Sequence, residues 1–273
     1  QFSHALLEGG MSLKLTMLGS GTSSGVPRIG NDWGICDPSE PKNRRTRVSI
    51  LVESATTRIL VDTSPDMRAQ LLSADVAHID AILWTHDHAD HCHGLDDVRQ
   101  LYHHRGTPVP GYARAQTLKL LKQRFAYAFE GRQGYHPTIA ACPLHDSLQI
   151  GDIDISCVDQ PHGAIYSTGF RFSHDGKSIG YATDFHVITP EMLALYDQVD
   201  IWVVDALREK PHPTHPHLAM TLEGIAAARP GRAILTHMDQ SMDYATLCHT
   251  LPRGVEPGYD GLVADLGKNV REN

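Results

Sequence analysis

Residues 85–91, with the sequence Thr-His-Asp-His-Ala-Asp-His, constrain the fold of this chain more than any other stretch. The preceding run, 81–84, is short and apolar, which is typical of a buried strand, and the run 94–101 spaces its apolar residues as a helix does. A turn between strand and helix can direct several side chains to one point, and imidazole with carboxylate suits zinc, manganese or iron. A polar loop that holds histidines by chance is the alternative. The ligand-type residues are His86, His88, Asp90 and His91.

Four predicted strands in the second half of the chain also deliver an aspartate or a histidine at or just beyond their last residue. Sheet proteins often place ligands at the open edge where strands end, because the faces of the sheet are covered. Together with residues 85–91, these side chains therefore predict one convergent site. They are His162 after the strand 153–158, Asp184 after 178–183, Asp205 after 201–204 and His237 after 233–235.

The alternation of strands and helices predicts an α+β fold. Each half of the chain runs strand, strand, helix, which suits two sheets packed face to face with helices outside. The 273 residues are within the range of one large domain and can bury a sizeable core. We expect a single domain at 11–267, with an N-terminal extension at 1–10 and a C-terminal tail at 268–273.

Charge and cysteine usage limit the partners and the compartment. The net charge of −8 argues against broad electrostatic binding of a nucleic-acid polymer. The five scattered cysteines form no Cys-x-x-Cys pair, so no disulfide framework is predicted and a reducing cytoplasm fits. No apolar run approaches the roughly 20 residues of a membrane span, and residues 1–10 lack the features of a signal peptide.

Two further segments are open to more than one interpretation. The glycine-rich turn 19–27 could cradle a phosphate, or it could simply be a turn; it lacks the ending of a P-loop. The segment 102–146 contains a helical pattern at 114–129. Its flanks contain aromatic and basic residues. Either these residues are exposed to solvent, or together they line a pocket for an anionic substrate that contains a ring. The residues are Tyr102, His103, His104, Arg105, Arg132, Tyr135 and His136.

The sequence His-x-His-x-Asp-His at 86–91 resembles the signature of the metallo-β-lactamase superfamily. Within it, the chain resembles the PhnP-type cyclic phosphodiesterases of the carbon–phosphorus lyase pathway. The resemblance implies an αββα sandwich of two mixed sheets, two bound metals and phosphodiester hydrolysis, and it puts the turn 19–27 beside the metal site. The matching pieces are 19–22, 25–27, 44–47, 85–91, Gly94, 182–184, 234–237 and 258–261.

The same resemblance assigns the metal ligands. His86, His88 and His162 would hold one metal, Asp90, His91 and His237 the second, and Asp184 would bridge them. Two divalent ions, zinc or manganese with iron as the alternative, suit five histidines and two carboxylates without cysteine. Such a pair generates hydroxide near neutral pH and stabilises the charge that develops at phosphorus.

A general acid is expected in the segment 211–217, which offers three histidines before a predicted helix. The resemblance implies that one of them protonates the leaving oxygen. We predict His217, directly before the helix, with His215 as the alternative; surface histidines of a loop are the third interpretation. Asp62 and Asp205 end strands near the site, where they would either orient ligand histidines or cap turns.

The predicted function is hydrolysis of a small cyclic or nucleotide-like phosphodiester, with His217 and Asp184 as catalytic residues. The alternatives are an RNA-processing nuclease or a thioester or lactone hydrolase of the same superfamily. The expected partner is a small anionic substrate, without a membrane, and a homodimer is left open. The resembled enzymes are expected to carry a further, structural zinc site, held by three cysteines and one histidine. We expect this site to be absent here, because the corresponding segments contain only one cysteine, Cys36, and have Asp239 and Gln240 in place of the histidine.

Overall fold

Two β-sheets pack face to face in this computed structural model, which describes residues 13–267, and helices lie against both outer faces. The predicted αββα sandwich of two mixed sheets is therefore confirmed. The expected extension at 1–10 and the expected tail at 268–273 lie outside the described residues. Within 13–267, no helix has both the length and the apolar composition needed to cross a membrane.

The first sheet combines antiparallel and parallel pairing, with the antiparallel strands at the side where the chain begins. The four strands toward the other edge of the sheet run parallel to one another. In spatial order it contains β14 (Val263–Asp265), β1 (Lys14–Gly19), β2 (Ser49–Glu53), β3 (Arg58–Val61), β4 (Ala81–Leu83), β5 (Val109–Ala113) and β6 (Ile139–Pro143).

The second sheet repeats this design. A long antiparallel hairpin occupies one side, and four parallel strands form the other. In spatial order it contains β13 (Val255–Pro257), β12 (Arg232–Thr236), β11 (Ile201–Asp205), β10 (Lys177–Ala182), β9 (Ile165–His174), β8 (Ile153–His162) and β7 (Ser147–Ile150).

The central strands are apolar without a break because both of their faces are buried. In β2, Ile50 and Val52 join the core between the sheets, whereas Leu51 packs under the helices on the outer face. In β11, Val203 faces the other sheet and Trp202 faces outward into a third apolar cluster. Successive side chains of a strand point to opposite faces, so one continuous apolar run serves two layers.

Helices cover the outer faces, and both helices whose ranges are predicted above differ in part from the structure. The helix expected at 94–101 spans Val98–Arg105. The helix predicted at 114–129 is interrupted at Phe125, whose φ of −121° and ψ of 38° leave the helical region. The unpredicted strand β5 contains Gly111, where a Cβ would lie 2.5 Å from the buried Trp84 ring. The helices are α1 (Met67–Ser73), α2 (Ala89–Cys92), α3 (Val98–Arg105), α4 (Ala115–Arg124), α5 (Ala126–Glu130), α6 (Pro190–Tyr196), α7 (Leu218–Ala228) and α8 (Tyr244–Thr250).

Candidate metal centre

The centre lies where strands of both sheets end. Asp62 follows β3, Asp184 follows β10 at a distance of two residues, and His237 follows β12. All three have a left-handed backbone, with φ of 64°, 57° and 58°, which residues other than glycine rarely adopt. Such conformations cost of order 1 kcal/mol or more and cluster at functional sites. They end each strand abruptly and turn these side chains toward one another.

The first group of ligand-type atoms comes from the turn after β4 and from the end of β8. His86 Nε2 lies 3.7 Å and His162 Nε2 lies 3.5 Å from Asp184 Oδ2. His88 Nδ1 lies 3.3 Å from His162 Nε2. All four side chains offer a ligand atom within 4.8 Å of the others, close enough to share one metal ion.

The second group lies on the other side of Asp184. His91 Nε2 is 3.2 Å and His237 Nε2 is 3.5 Å from Asp184 Oδ1. Asp90 Oδ2 lies 3.3 Å from His91 Nε2 and 3.5 Å from His237 Nε2. The two oxygens of the Asp184 carboxylate thus face two different groups of histidines, as a bridging ligand does. The structure brings together all seven residues that the sequence nominated as ligands.

Buried nitrogen atoms test whether these residues fit a metal. His86 Nε2, His91 Nε2 and His237 Nε2 are buried and make no hydrogen bond to any described residue. A buried polar atom without a partner destabilises a fold, and such atoms are rare in native proteins. Here all three lie within 3.7 Å of an oxygen of the Asp184 carboxylate. Imidazole and carboxylate are the donors that zinc, manganese and iron accept, so the residues fit two divalent cations.

The charges of the cluster lead to the same conclusion. Burial lowers the pKa of His91, but the carboxylates of Asp184, Asp90 and Asp62 outweigh burial and hold the pKa well above its usual value. Burial also opposes protonation of His237, and yet Asp184 and Asp205 raise its pKa to about 9. The buried carboxylates are therefore stabilised by positive charge close to them. Bound dications would supply this charge in place of the protons.

Partners on the far side of each ring orient the ligand histidines. Asp62 Oδ2 lies 2.7 Å from His91 Nδ1, and Thr85 Oγ1 lies 3.0 Å from His86 Nδ1. The Thr214 carbonyl oxygen is 2.9 Å from His162 Nδ1. Such contacts fix the tautomer that presents Nε2 to a metal. Asp62 also accepts hydrogen bonds from the Thr85 amide and hydroxyl, so it combines both roles proposed for it from the sequence.

The segment between β11 and α7 directs His215, rather than His217, toward the cluster. His215 Nε2 lies 3.8 Å from Asp184 Oδ2, and its ring stacks on His237 at 4.8 Å between centroids. His217 occupies the N-cap of α7, and no ion pair or ring contact described within 13–267 joins it to the cluster. Of the two histidines considered as general acid, His215, the alternative, is therefore the one whose side chain lies at the cluster. Asp205 Oδ2 lies 3.2 Å from His215 Nδ1, and it also accepts a hydrogen bond from the Asp184 amide.

A cavity of about 270 Å³ opens on the cluster. Ser23, from the predicted glycine-rich turn, contributes to its wall, as do Gly163 and Thr214. No residue of 102–146 is among its lining residues; that segment lines a separate cavity. The volume is close to the lower end of ligand pockets, which measure roughly 300–1,000 Å³, so the cavity suits a small substrate.

Sequence reasoning missed one contact with the ligand turn. Arg124, at the end of α4, pairs with the Asp87 carboxylate and also donates to the Asp87 carbonyl. Asp87 stands between the ligands His86 and His88. No local signal marks this pair, because the two residues are 37 positions apart.

A buried arginine, Arg45, links the loops that carry Cys36 and Asp239. Arg45 donates to the carbonyl oxygens of Met242 at 2.6 Å and Asp239 at 3.3 Å, and it lies 3.8 Å from Cys36 Sγ. Among the described residues, the clusters that could hold a metal all belong to the centre above. The guanidinium joins the same loops through hydrogen bonds.

Three comparisons place the chain among known proteins. The family described as a beta-lactamase superfamily domain matches residues 57–238. The crystal structure of a diphosphatase from the PhnP family is 36% identical, with a TM-score of 0.85, and the match covers 93% of this chain and 97% of that one. An octanoyltransferase of Porphyromonas gingivalis is 30% identical over 267 residues, which are 95% of this chain and 53% of that protein.

A further relative is the exodeoxyribonuclease WalJ of Streptococcus pneumoniae. It is 25% identical over 164 residues, which are 58% of this chain and 57% of that protein. The chain thus spans about half the length of the curated relatives that it matches.

Proposed function

Since this chain belongs to the metal-dependent hydrolases of the beta-lactamase superfamily, in their PhnP-like branch, we propose that it is a dinuclear phosphodiesterase acting on a small, cyclic or nucleotide-like diester. The observation that carries the proposal is the position of Asp184. Its Oδ1 faces His91 and His237, and its Oδ2 faces His86 and His162. A carboxylate held between two groups of histidines is suited to bridge two metals.

The residues divide into two sets of ligands around that bridge. His86, His88 and His162 would hold one cation, and Asp90, His91 and His237 would hold the other. Bound there, zinc or manganese ions, or iron, supply Lewis acidity toward phosphoryl oxygens and lower the pKa of bound water to about 7.

In this proposal, His215 protonates the leaving oxygen. Its Nδ1 faces Asp205 at 3.2 Å, and its Nε2 points to the cavity beside Asp184. With Nδ1 hydrogen-bonded to the Asp205 carboxylate, Nε2 is the atom that would donate a proton to the substrate. General acids of this kind contribute about 10²- to 10⁴-fold to rate when the leaving group is a poor one.

A diphosphate linkage is the second candidate, because the 36% identical PhnP-family structure is that of a diphosphatase. The two candidates differ in the leaving group. A phosphate ester leaves from a diphosphate as a stable anion, whereas an alkoxide leaving from a diester needs a proton. A diphosphatase would therefore depend little on His215.

The test measures how fast the metal-loaded protein hydrolyses four classes of substrate. Wild type is compared with His215→Ala and with His217→Ala, the matched control on the same loop. The substrates are a 2′,3′-cyclic nucleotide, bis(p-nitrophenyl) phosphate, a dinucleoside diphosphate and a thioester. We expect His215→Ala to lower kcat/KM for the cyclic nucleotide by about 10²-fold or more and for the p-nitrophenyl ester far less. His217→Ala should stay close to wild type.

Three results would change the assignment. Cleavage of the dinucleoside diphosphate alone, unaffected by His215→Ala, selects the second candidate. Turnover of the thioester alone rejects phosphoryl chemistry. An equal loss for both diesters in His215→Ala would mean that His215 holds the site together rather than donating a proton.

A further inference from the structure

The segment 102–146 and the helix before it build a second cavity, of about 370 Å³, which shares no lining residue with the cavity at the metal centre. It lies among α3, α5 and the turn 131–136 that follows α5. We call it the tyrosine cavity. The residues that define it here are Arg99, Tyr102, Tyr127, Arg132, Tyr135 and His136.

A tight hairpin presents two of these side chains together. The Arg132 amide donates to the Tyr135 carbonyl at 3.1 Å, and the Tyr135 amide donates to the Arg132 carbonyl at 2.9 Å. Gln133 and Gly134 between them have φ of 51° and 88°, which is the requirement of a type I′ turn. Residues that exchange both hydrogen bonds across a hairpin project to the same face, so Arg132 and Tyr135 lie side by side.

The hairpin is also fixed at its base. Gly131 has φ of 72°, and a Cβ at this position would lie 2.4 Å from the Tyr135 carbonyl oxygen. Its amide donates to the Tyr127 carbonyl at 3.1 Å, which joins the hairpin to α5. Tyr135 nevertheless leaves 74% of its surface exposed. A rigid backbone that holds an exposed aromatic ring beside an arginine is preorganised for binding, because little conformational freedom remains to be lost.

The chemistry of the cavity selects a ligand with both a ring and a negative charge. Three tyrosines offer aromatic faces, and two arginines offer guanidinium groups for an anion. The cavity contains one carboxylate, that of Asp96, and the Tyr127 hydroxyl hydrogen-bonds to it. The cavity is thus locally basic, although the whole chain has a net charge of −8.

We propose that the tyrosine cavity is a second binding site, separate from the metal centre, that takes a nucleotide by stacking its base on tyrosine and pairing its phosphate with arginine. The volume accommodates a small molecule rather than a folded partner. Stacking of a base on an aromatic side chain contributes about 1–3 kcal/mol, which corresponds to roughly 5- to 150-fold in affinity. The proposal does not depend on which bond the metal centre hydrolyses.

Calorimetric titration of metal-loaded protein with AMP tests the site. Tyr135→Ala removes the ring, Tyr135→Phe keeps it, and Arg132→Gln removes the charge at nearly constant size. Arg68→Gln, an exposed arginine on α1, is the matched control. None of these residues lines the cavity at the metal centre, so we expect AMP bound there to be insensitive to the changes, and dependence on Tyr135 and Arg132 isolates the tyrosine cavity.

We expect Tyr135→Ala and Arg132→Gln each to weaken AMP binding by about tenfold or more, and Tyr135→Phe to bind within about threefold of wild type. Arg68→Gln should bind like wild type, and all variants should keep the wild-type rate on bis(p-nitrophenyl) phosphate. Adenosine and inorganic phosphate, tested alone, should each bind more weakly than AMP. A short oligoadenylate that binds more tightly than AMP, with the same dependence on Tyr135, identifies the natural source as a nucleic-acid strand.

Two results would overturn the proposal. One is AMP binding that is equal in wild type, Tyr135→Ala and Arg132→Gln. The other is the absence of saturable AMP binding up to about 10 mM, the range in which even a weak site would be detected. The diester assay on the same samples keeps this outcome distinct from a failure of the proposed phosphodiesterase.

Discussion

Asp260 should make the stability of this protein depend on pH between about 4 and 6. Its Oδ1 accepts hydrogen bonds from the Ser20 amide and hydroxyl, both at 2.9 Å. Its Oδ2 accepts from the Thr46 amide at 2.7 Å and hydroxyl at 2.6 Å. Burial nevertheless raises the pKa of this carboxyl group from 3.8 to about 6, because the hydrogen bonds to its ionised form do not fully replace water.

The direction of the pH dependence follows from the state of the chain, folded or unfolded, in which this carboxyl group binds its proton more tightly. The carboxyl group has the higher pKa in the folded chain, so folding takes up a proton between about pH 4 and 6. This contribution to stability is complete below about pH 3.8 and is lost as the pH rises through about 6. A shift of about two pKa units corresponds to at most about 3 kcal/mol. Asp260 is only partly buried by surface area, so we expect about 1–2 kcal/mol at pH 4.5.

Urea unfolding of chelator-treated wild type and Asp260→Asn at pH 7.5 and 4.5 measures this contribution. Asparagine has no charge to titrate here, so the free-energy difference between wild type and variant should grow in favour of wild type by about 1–2 kcal/mol as the pH falls. Asp154→Asn, at an exposed position of β8, controls for the effect of an Asp-to-Asn substitution as such. A difference for Asp260→Asn that is also constant, or that shrinks at pH 4.5, would refute the reasoning.

Three further predictions concern the ligand turn and its support. Asp62→Asn removes the charged partner of His91 Nδ1, and metal affinity in a chelator competition should fall about 10- to 100-fold, whereas an unchanged affinity would contradict an orienting role. Trp84→Ala removes a fully buried ring, and urea unfolding should show a loss of about 3–5 kcal/mol; a loss below about 1 kcal/mol would argue against close packing there. Gly94→Ala puts a Cβ 1.9 Å from the Ser64 carbonyl oxygen, so thermal unfolding should show a clear loss of stability, and a wild-type melting temperature would disprove the close approach.

Much of the fold, and the candidate side chains at the strand ends, followed from local sequence pattern, whereas the division of the ligands between two metals came from the family resemblance. Short apolar runs identified β4, β10, β11 and β12, since the middle of a strand buried on both faces is almost continuously apolar. An aspartate or histidine at a strand end was sufficient to nominate Asp184 and His237. The pattern failed for β5, where Pro110 and Gly111 weaken the strand signal although the backbone pairs with both neighbours.

The tertiary structure decided which histidine of the segment 211–217 reaches the centre. The two candidates are two residues apart on the same loop, so spacing alone could not separate them. The choice depends on hydrogen bonds between distant parts of the chain. The Leu207 amide donates to the Pro216 carbonyl, and the Thr214 carbonyl accepts from His162.

The same distinction explains the segment 102–146. Its aromatic and basic residues could be counted in the sequence, but the cavity they line is set by the break at Phe125 and by the hairpin that returns Arg132 and Tyr135 toward α3. Periodicity along a chain reports which face of an element is buried, because it depends only on near neighbours. The direction of a loop side chain depends on contacts between residues far apart in sequence, which exist only once the two sheets have packed.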